Sequence, residues 1–268
     1  MAFGRVLLLG GGNMGGAMAR GWLEGGLPAA DLTILDPKGG VHVDALVAKG
    51  AAHRTDADGL SADILVVAVK PQVMDAALPP LRAAVAANTL VISVVAGRTI
   101  AAIEGHLGPC SVVRAMPNTP ALIGRGITGA TASPRVTTAQ REAAGRLLGA
   151  CGPVEWVGSE AEINAVTAVS GSGPAYVFLL AEALAAAGAK AGLDPDLALR
   201  LARHTVAGAG ELMIRSDDDP AQLRRNVTSP NGTTQAALEV LMASDGFGPL
   251  LERAVEAARA RAEELSKG

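Results

Sequence analysis

The sequence has few charged residues and no cluster of basic ones. Charged residues make up 18% of the 268 residues, and the formal net charge is −3. No run of Lys or Arg stands out, so the sequence does not favour a nucleic-acid-binding protein. Little charge combined with many Ala and Gly residues is typical of a chain that hides part of its surface in an oligomer.

Cysteine is also scarce. The chain has two cysteines, Cys110 and Cys151, too few for a disulfide framework or a cysteine-based metal site. Such usage fits a protein of the reducing cytosol, so we expect a cytoplasmic location. The histidines are scattered without metal-ligand spacing: His42, His53, His106 and His204. We therefore expect no metal site.

Long apolar runs are missing as well. The N-terminus has one Arg before a short apolar run that leads straight into glycines, which is not typical of a signal peptide. The longest apolar stretch, Ala175–Ala187, is interrupted by Glu182 and is too short to span a bilayer. Hydrophobic residues nevertheless make up 49% of the chain, enough for a substantial core in one large or two moderate domains.

A glycine-rich turn follows the first apolar run, Arg5–Leu9, and precedes a helix-forming segment. Its glycines occupy the G-x-G-x-x-G positions, which serve a tight turn, close approach to a pyrophosphate and close helix–strand packing. A second strand-like run ends in Asp36, 21 residues after Gly15, where an acid can bind the adenosine ribose. We therefore predict that a dinucleotide contacts Gly10, Gly12, Asn13, Met14, Gly15 and Asp36.

Asp36 bears on the choice of cofactor. A carboxylate repels the 2′-phosphate of NADP and so favours NAD. Lys38 lies two residues further on and could offset that repulsion, or it could be an ordinary surface charge. Both NAD and NADP therefore remain open as the cofactor.

Further apolar runs alternate with helical patterns through the first part of the chain. The later strand candidates are Asp63–Val69, Leu90–Ala96, Ser111–Met116 and Gly129–Ala132, and the helical patterns between them include 74–87 and 138–150. This alternation predicts an α/β fold with a mostly parallel, doubly wound, Rossmann-like sheet over residues 1–159. Residues at the carboxyl ends of its strands are expected to contact the cofactor: Ala68, Val69, Lys70, Pro71 and Asn118.

Beyond Ser159 the pattern changes to helices alone, so residues 160–268 are predicted to form a second, all-helical domain. Asp194-Pro195 is expected to be an N-cap followed by Pro that opens one helix, and Asp217–Pro220 is expected to open a short one. Pro249 is expected to open the last helix. Ser170–Pro174 is expected to interrupt the first helix, either to make room for the nicotinamide or a partner helix or as a simple kink.

The stretch Asn226–Thr234 is polar and rich in turn-forming residues. Pro230 fixes one φ angle, and Asn231-Gly232 readily adopts φ > 0, so the stretch predicts a tight turn that leads into a helix capped by Thr233 or Thr234. The first turn of a helix leaves N–H groups that attract an anion. The simpler interpretation is an ordinary helix cap with a polar turn.

Together, Val166–Tyr176 and Val227–Thr234 resemble the pyrroline-5-carboxylate reductases, which reduce a cyclic imine to proline. The resemblance covers nearly the whole chain and includes the glycine loop, Ala68–Gln72 and Arg114–Pro120. The chain departs from the family at Asn231, where Gly is frequent, and at Asn164, where Asp is frequent. Since Asn also tolerates the left-handed conformation, the turn is expected to survive.

The resemblance implies hydride transfer from NADH or NADPH to the C=N carbon of 1-pyrroline-5-carboxylate, giving L-proline. It implies that the helical domain forms a homodimer, compatible with a ring of dimers, and that the active site lies between the cofactor domain and helices of the dimer. The substrate carboxylate is expected at the backbone of Gly232 and Thr233, assisted by Ser229. Thr234 is expected to hydrogen-bond the ring nitrogen, and Asn226 to reach the cofactor.

Two alternatives remain open. A β-hydroxyacid dehydrogenase or a broader imine reductase shares the plan, but the former needs a Lys on the helix facing the nicotinamide, and Asn164–Ser170 contains none. A dinucleotide-binding sensor without catalysis would keep the glycine loop and have no need of the stretch Asn226–Thr234.

Overall fold

The computed structural model describes residues 3–267, so the outermost ends of the two predicted domains, residues 1, 2 and 268, lie outside the described residues. The chain divides into two compact units. The first unit runs up to Gly171 and also contains the residues from Ala258 onward, whereas the second unit is Ser172–Ala257. The domain boundary after residue 159 stays a prediction.

An eight-stranded sheet organises the first unit. Its strands are β1 (Val6–Leu9), β2 (Leu32–Leu35), β3 (Ala52–Arg54), β4 (Ala62–Val67), β5 (Val85–Ser93), β6 (Ser111–Met116), β7 (Thr128–Ala132) and β8 (Val154–Trp156). Their order is β3-β2-β1-β4-β5-β6-β7-β8, and neighbours are parallel except β6 and β7. The predicted Rossmann-like, mostly parallel sheet is confirmed. The two edge strands, β3 and β8, were not predicted because three residues are too few to show a pattern.

Helices cover both faces of the sheet. They are α1 (Asn13–Glu24), α2 (Val41–Val47), α3 (Pro71–Ala77), α4 (Ile100–Leu107), α5 (Thr138–Gly149) and α6 (Glu160–Val166). The predicted helix 74–87 was wrong in extent, because α3 ends at Ala77 and a 3₁₀ segment, Pro79–Ala84, follows. Pro79 and Pro80 lack the N–H groups that would continue an α-helix.

The core of the first unit lies on both sides of the sheet. Along β1, Val6 and Leu8 join one buried cluster with Trp22, whereas Leu7 and Leu9 join another with Met74. Successive strand residues point to opposite faces, so a strand covered on both sides must be apolar throughout. The sheet is thus packed on both faces up to the point where its strands end.

The second unit contains helices and no strand among its described residues. These helices are α7 (Gly173–Lys190), α8 (Pro195–Arg215), α9 (Pro220–Asn226), α10 (Thr233–Leu241) and α11 (Phe247–Lys267), and the last turns of α11 belong to the first unit. Both predicted helix starts are confirmed. Asp194 Oδ1 accepts from Leu197 N at 3.0 Å, and Asp219 Oδ1 accepts from Gln222 N at 2.7 Å. The last helix begins at Phe247, two residues before the predicted Pro249.

The expected interruption at Ser170–Pro174 is a widened turn rather than a break. A π-helical segment, Thr167–Gly171, connects α6 to the start of α7. The hydroxyl of Thr167 donates to Ile163 O (2.7 Å) and that of Ser170 donates to Val166 O (3.1 Å), contacts that compete with the regular helix bonds. π-Helical turns of this kind occur frequently at functional sites.

Through this π-helical segment, α6 and α7 form one continuous helical stretch. Glu160–Lys190 is a helical stretch of 31 residues that is long and apolar enough, by length and composition alone, to cross a membrane. The sequence-based estimate counted only the shorter apolar run and therefore missed this. In the most apolar part of this stretch, 18 residues long, 17% is buried within the chain.

Candidate active site

The sheet has its topological switch point beside β1, which pairs with β2 on one side and β4 on the other. Leu9 is in register with both Leu35 and Val67. The residues that follow these three strands therefore leave the sheet at the same edge. In open α/β sheets this crevice is where ligands bind.

The glycine loop after β1 has the geometry that the motif requires. Gly10 has φ +97°, and a Cβ there would lie 2.8 Å from Ala68 O. A Cβ on Gly15 would overlap Gly10 O, whereas a Cβ on Gly12 would meet nothing within 4 Å. The loop thus turns tightly at Gly10, packs closely at Gly15 and leaves open space at Gly12. Gly12 is the N-cap of α1 and has no side chain to occupy the helix N–H groups.

Asp36 follows β2 and is fixed by backbone donors. Its Oδ2 accepts from Gly11 N at 2.8 Å, and its Oδ1 accepts from Lys38 N at 2.9 Å. The carboxylate is therefore held against the glycine loop in one orientation. Lys38 supplies its backbone N–H to this arrangement, while its side chain is exposed.

Asn13 and Met14 take different places in the loop. The Oδ1 of Asn13 lies 3.2 Å from His42 Nε2, which ties the start of α1 to α2. The side chain of Met14 packs against the core, so a contact with the cofactor would come from its backbone. Sequence reasoning missed His42, since no local pattern relates it to Asn13.

The segment after β4 runs along the glycine loop. Ala68 N donates to Leu9 O at 2.8 Å, and the Val69 side chain lies beside Gly10. Lys70 is the N-cap residue of α3, and Pro71 is its first residue. These positions place all four predicted residues at the same sheet edge as Asp36, and their contact with a cofactor stays a prediction.

Two polar contacts hold the end of β6. Asn118 Oδ1 accepts from Ile127 N at 3.0 Å, which leaves the Nδ2 of the predicted cofactor residue for another partner. The Arg114 side chain is 3% exposed and pairs with Glu160 Oε1 at 2.9 Å. The same Glu160 oxygen accepts from Ile100 N at 2.9 Å. This ion pair was not predicted, although an Arg within an apolar strand signals a buried counter-charge.

Asn164 and Gly171 lie on the segment that packs over β6 and β7. Asn164, one of the two departures from the family pattern, is buried and accepts from Ser266 Oγ at 3.3 Å. A Cβ on Gly171 would lie 2.9 Å from Met116 Cε at the end of β6. The π-helical turn therefore lies at the carboxyl edge of the sheet, within the first unit.

The Ser229–Gly232 turn lies in the second unit. Gly232 N donates to Ser229 O at 3.1 Å, Pro230 is the second residue, and Asn231 is the third with φ +56°. These are the features of a type II turn, which requires φ > 0 at its third residue. A Cβ on Gly232 would overlap Ser229 Oγ, so a larger residue there would displace the Ser229 hydroxyl.

The start of α10 corrects one prediction. Its N-cap is Gly232, so the predicted cap by Thr233 or Thr234 was wrong, and these are its first and second helical residues. Gly232 N donates to Ser229 O, and the expected contact of the Gly232 backbone with the substrate stays a prediction. Among the described residues, the backbone N–H groups of Thr233 and Thr234 and the Thr234 hydroxyl find no partner.

The amide of Asn226 is already engaged. Its Nδ2 donates to Asp218 Oδ2 at 3.0 Å, and its Oδ1 accepts from Gln222 Nε2 at 2.6 Å. The residue thus joins the end of α9 to the acidic loop before it. Its predicted contact with the cofactor is not evident from these bonds and stays a prediction.

Two cavities of the described surface are lined by none of these residues. One of about 290 Å³ is lined by Leu23, Glu24, Leu27, Ala29 and Lys49, and another of about 260 Å³ by Arg200, Arg203, His204 and Ala207. The first lies where α1 ends, at the opposite edge of the sheet from the glycine loop. We assign neither cavity to the reaction. The glycine loop and Asp36 lie at the carboxyl ends of the strands, and the polar groups for a substrate lie in the Ser229–Gly232 turn and at the start of α10.

Two family profiles match the chain. Residues 160–265 match the family described as pyrroline-5-carboxylate reductase dimerisation, and residues 5–97 match the family described as NADP oxidoreductase, coenzyme F420-dependent. The first profile covers α6 to α11. The second covers the glycine loop, Asp36 and the segment after β4.

Full-length relatives share one name. A pyrroline-5-carboxylate reductase of Pseudomonas aeruginosa is 44% identical over 272 residues, covering 100% of this chain and 98% of that protein. A solved pyrroline-5-carboxylate reductase of Coxiella burnetii has a TM-score of 0.92 at 36% identity, covering 99% of this chain and 100% of that one. One from Plasmodium falciparum, solved with NADP bound, has a TM-score of 0.82 at 29% identity, with 98% of each chain covered. The chain therefore belongs to the pyrroline-5-carboxylate reductase family.

Proposed function

We propose that this chain reduces 1-pyrroline-5-carboxylate to L-proline, the last step of proline biosynthesis, in the cytoplasm. The observation that carries the proposal is the start of α10, where Thr233 and Thr234 present backbone N–H groups and a hydroxyl without partners among the described residues. A small anion with one ring nitrogen matches those groups. The full-length relatives support the same reaction.

The residues at the switch point fit a nicotinamide dinucleotide. Open space at Gly12 admits a pyrophosphate to the N-terminus of α1, where the helix dipole favours negative charge. Gly10, Asn13, Met14 and Gly15 shape that approach, and Ala68, Val69, Lys70, Pro71 and Asn118 border it. When bound, the cofactor supplies the hydride that reduces the imine carbon.

The Ser229–Gly232 turn and α10 supply the groups for the substrate. We assign the carboxylate to the N–H of Thr233, with Ser229 Oγ beside it and Gly232 shaping the turn. The Thr234 hydroxyl holds the ring nitrogen. Since a threonine hydroxyl is a poor acid, its task is orientation, and water serves as the source of the proton. Orientation of the reacting groups is itself a large part of catalysis.

An imine-dependent oxidation assay tests the function. The purified protein should oxidise the reduced dinucleotide when 1-pyrroline-5-carboxylate is added, and absence of oxidation with either nucleotide contradicts the proposal. Thr234→Ala should lower kcat/KM for the imine about 10- to 100-fold, the range for a hydrogen bond to a charged group, with the KM for the nucleotide unchanged. Thr234→Ser keeps the hydroxyl and is the matched control. Equal activity of all three proteins would remove Thr234 from the site.

We further propose that NADH is the preferred cofactor. Two backbone N–H groups fix the Asp36 carboxylate at the end of β2, and this charge opposes a 2′-phosphate. Lys38 contributes a backbone N–H to the same carboxylate. The relative from Plasmodium falciparum was solved with NADP, so the preference is a property to be measured in this chain.

The preference has a direct test. The ratio of kcat/KM for NADH to that for NADPH should exceed one in the unmodified protein and fall about tenfold or more in Asp36→Ser, which removes the charge. Lys38→Ala is the control for the neighbouring charge and should raise the ratio. A strong NADPH preference of the unmodified protein would contradict our interpretation of Asp36.

We also propose that the helical domain self-associates as a homodimer, which can assemble further into a ring of dimers. The dimerisation profile over residues 160–265 supports the pairing. Exposed apolar side chains such as Phe178 (66%) and Val240 (73%) supply a surface for it. Sedimentation equilibrium distinguishes a monomer, a dimer and a larger ring.

A further inference from the structure

Gln235 makes a contact that links the Ser229–Gly232 turn to α10. Its Oε1 accepts from Asn231 N at 2.8 Å. Gln235 is the third residue of α10, and Asn231 precedes the N-cap Gly232. A side chain of the helix therefore reaches back across the N-terminus to the third residue of the turn.

The sequence explains why the contact skips one residue. A Gln in the third helical position normally accepts the N–H of the N-cap residue, while the N-cap side chain accepts from the helix in return. Here the N-cap is glycine, which has no side chain, and its N–H is already donated to Ser229 O. The next available N–H is that of Asn231, and Gln235 takes it.

The orientation of the Gln235 amide is determined by its second partner. Its Nε2 donates to Glu239 Oε1 at 3.1 Å, one helical turn further on. A carboxylate only accepts hydrogen bonds, so the nitrogen of the amide must face Glu239. The oxygen then faces Asn231, as the bond to its N–H requires.

Asn231 is the residue that needs such support. It is the non-glycine residue with positive φ (+56°) among the described residues. A left-handed conformation is unfavourable for residues with a Cβ, and Asn tolerates it better than most but less well than Gly. Because the chain has Asn here, the turn needs a contact that a glycine would not.

We propose that Gln235 is a positioning residue for the reduction of the imine: by holding Asn231 N it fixes the turn that sets the direction of Ser229, Thr233 and Thr234. The inference rests on the proposed function in assigning these residues to the substrate. Gln235 itself touches no reacting atom in this scheme. Its effect passes through the turn, so it should act on the substrate and leave the affinity for the nucleotide unchanged.

Gln235→Leu tests the inference, because it keeps the size of the side chain and removes the acceptor. We expect kcat/KM for the imine to fall about 3- to 10-fold, mainly through KM, with the KM for the nucleotide unchanged. Adding Asn231→Gly should restore most of the loss, because glycine adopts φ > 0 without support. Amide hydrogen exchange at residue 231 should accelerate by a similar factor in Gln235→Leu.

Gln140→Leu is the matched control. Gln140 is the third residue of α5, and its Oε1 accepts from the N-cap Thr137 N at 3.0 Å, so its loss costs a comparable contact in the first unit. It should lower the thermal midpoint as Gln235→Leu does and leave kcat/KM unchanged. Equal losses of activity in the two variants, or a Gln235→Leu enzyme with unchanged kcat/KM, would overturn the inference.

The measurements also separate this inference from the proposed function. If the unmodified protein does not oxidise either nucleotide with the imine, the proposed function fails, and exchange at Asn231 still shows whether Gln235 holds the turn. If the unmodified protein is active but exchange at Asn231 is the same in Gln235→Leu, only the inference fails. Accelerated exchange with an unchanged KM for the imine would also overturn it, since the contact would then be structural only.

Discussion

The two units of the molecule bury their side chains in different ways. In the first unit, two clusters of fully buried residues cover both faces of the sheet. In the second unit, Ala198 and Ala202 are the buried apolar side chains among the described residues 172–257. Large apolar side chains of the same unit are exposed, including Phe178 (66%), Leu179 (63%), Ile214 (76%) and Val240 (73%).

This difference in burial indicates that the two units are stabilised in different ways. Burial of apolar surface is the main favourable contribution to folding, and the first unit achieves it alone. In the second unit α7 packs against α8 at small residues, with Gly188 beside Ala198, and large apolar side chains remain exposed to water, which soluble monomers rarely show. We therefore expect the stability of the second unit to depend on protein concentration, and that of the first unit to be independent of it.

Phe178→Asp should give the largest effect, because it acts on the surface that needs a partner. Losing a buried Phe contributes about 2 to 3 kcal/mol, and burying a carboxylate in its place adds a cost of similar size. The dimer dissociation constant should rise about a thousandfold, measured by sedimentation equilibrium. Val47→Asp, on an exposed position of α2 in the first unit, is the control. Dimers of unchanged affinity would show that another surface pairs the chains.

Gly15→Ala tests the opposite claim, that the first unit is closely packed around its glycine loop. The new Cβ would overlap Gly10 O, a backbone atom that cannot rotate away. We expect a loss of about 3 kcal/mol in the free energy of unfolding, the upper range for an overpacked site. Chemical denaturation followed by circular dichroism measures it.

Gly12→Ala separates packing from binding in the same loop. Its Cβ would meet nothing within 4 Å, so the fold should tolerate it, while a pyrophosphate approaching that position should not. The expected outcome is an unchanged unfolding midpoint and a Kd for NADH raised about tenfold or more, measured by fluorescence titration. If both glycine variants unfold alike, the loop is not divided into packing and binding positions as we describe.

Glu160→Ala probes the buried polar contact that joins β6 and α4 to α6. It leaves Arg114 buried without its counter-charge and Ile100 N without its acceptor. Breaking a fully buried pair costs about 3–5 kcal/mol, and because the Glu160 side chain is one-third exposed we expect about 2 kcal/mol. The double variant Arg114→Met/Glu160→Leu should recover part of this loss. If the double variant is less stable than Glu160→Ala, the buried charge of Arg114 is not the main cause of the loss, and the hydrogen bonds of the pair stabilise the unit themselves.

Features set by neighbouring residues could be predicted from the sequence, whereas contacts between residues far apart along the chain could not. The backbone geometry at Gly10, Gly12 and Gly15 was predictable, because a short motif with a strand before it and a helix after it defines it. The Arg114–Glu160 pair was not, since its members are 46 positions apart and meet only after the sheet forms. The N-cap at Gly232 was missed because a side-chain hydroxyl is the usual signal of a cap, whereas Gly232 has no side chain and its N–H is held by Ser229 O in the turn. A motif with a fixed pattern was thus predictable. The choice among several possible hydrogen-bond partners in one short segment was not.

The smallest effect concerns Cys110, a buried thiol of the first unit. Burial, followed by the charge of Glu104, raises the pKa of Cys110 from 9.0 to about 11. The unfolded chain therefore ionises this thiol first, so its contribution to stability is complete below pH 9 and is lost as the pH rises towards 11. Linkage gives a loss of about 1 to 2 kcal/mol near pH 10.5. Guanidinium unfolding at pH 7.5 and 10.5 should show a smaller decrease in Cys110→Ala than in the unmodified protein. An equal decrease in both would mean that solvent reaches the thiol and that the core of the first unit is more open than its buried clusters imply.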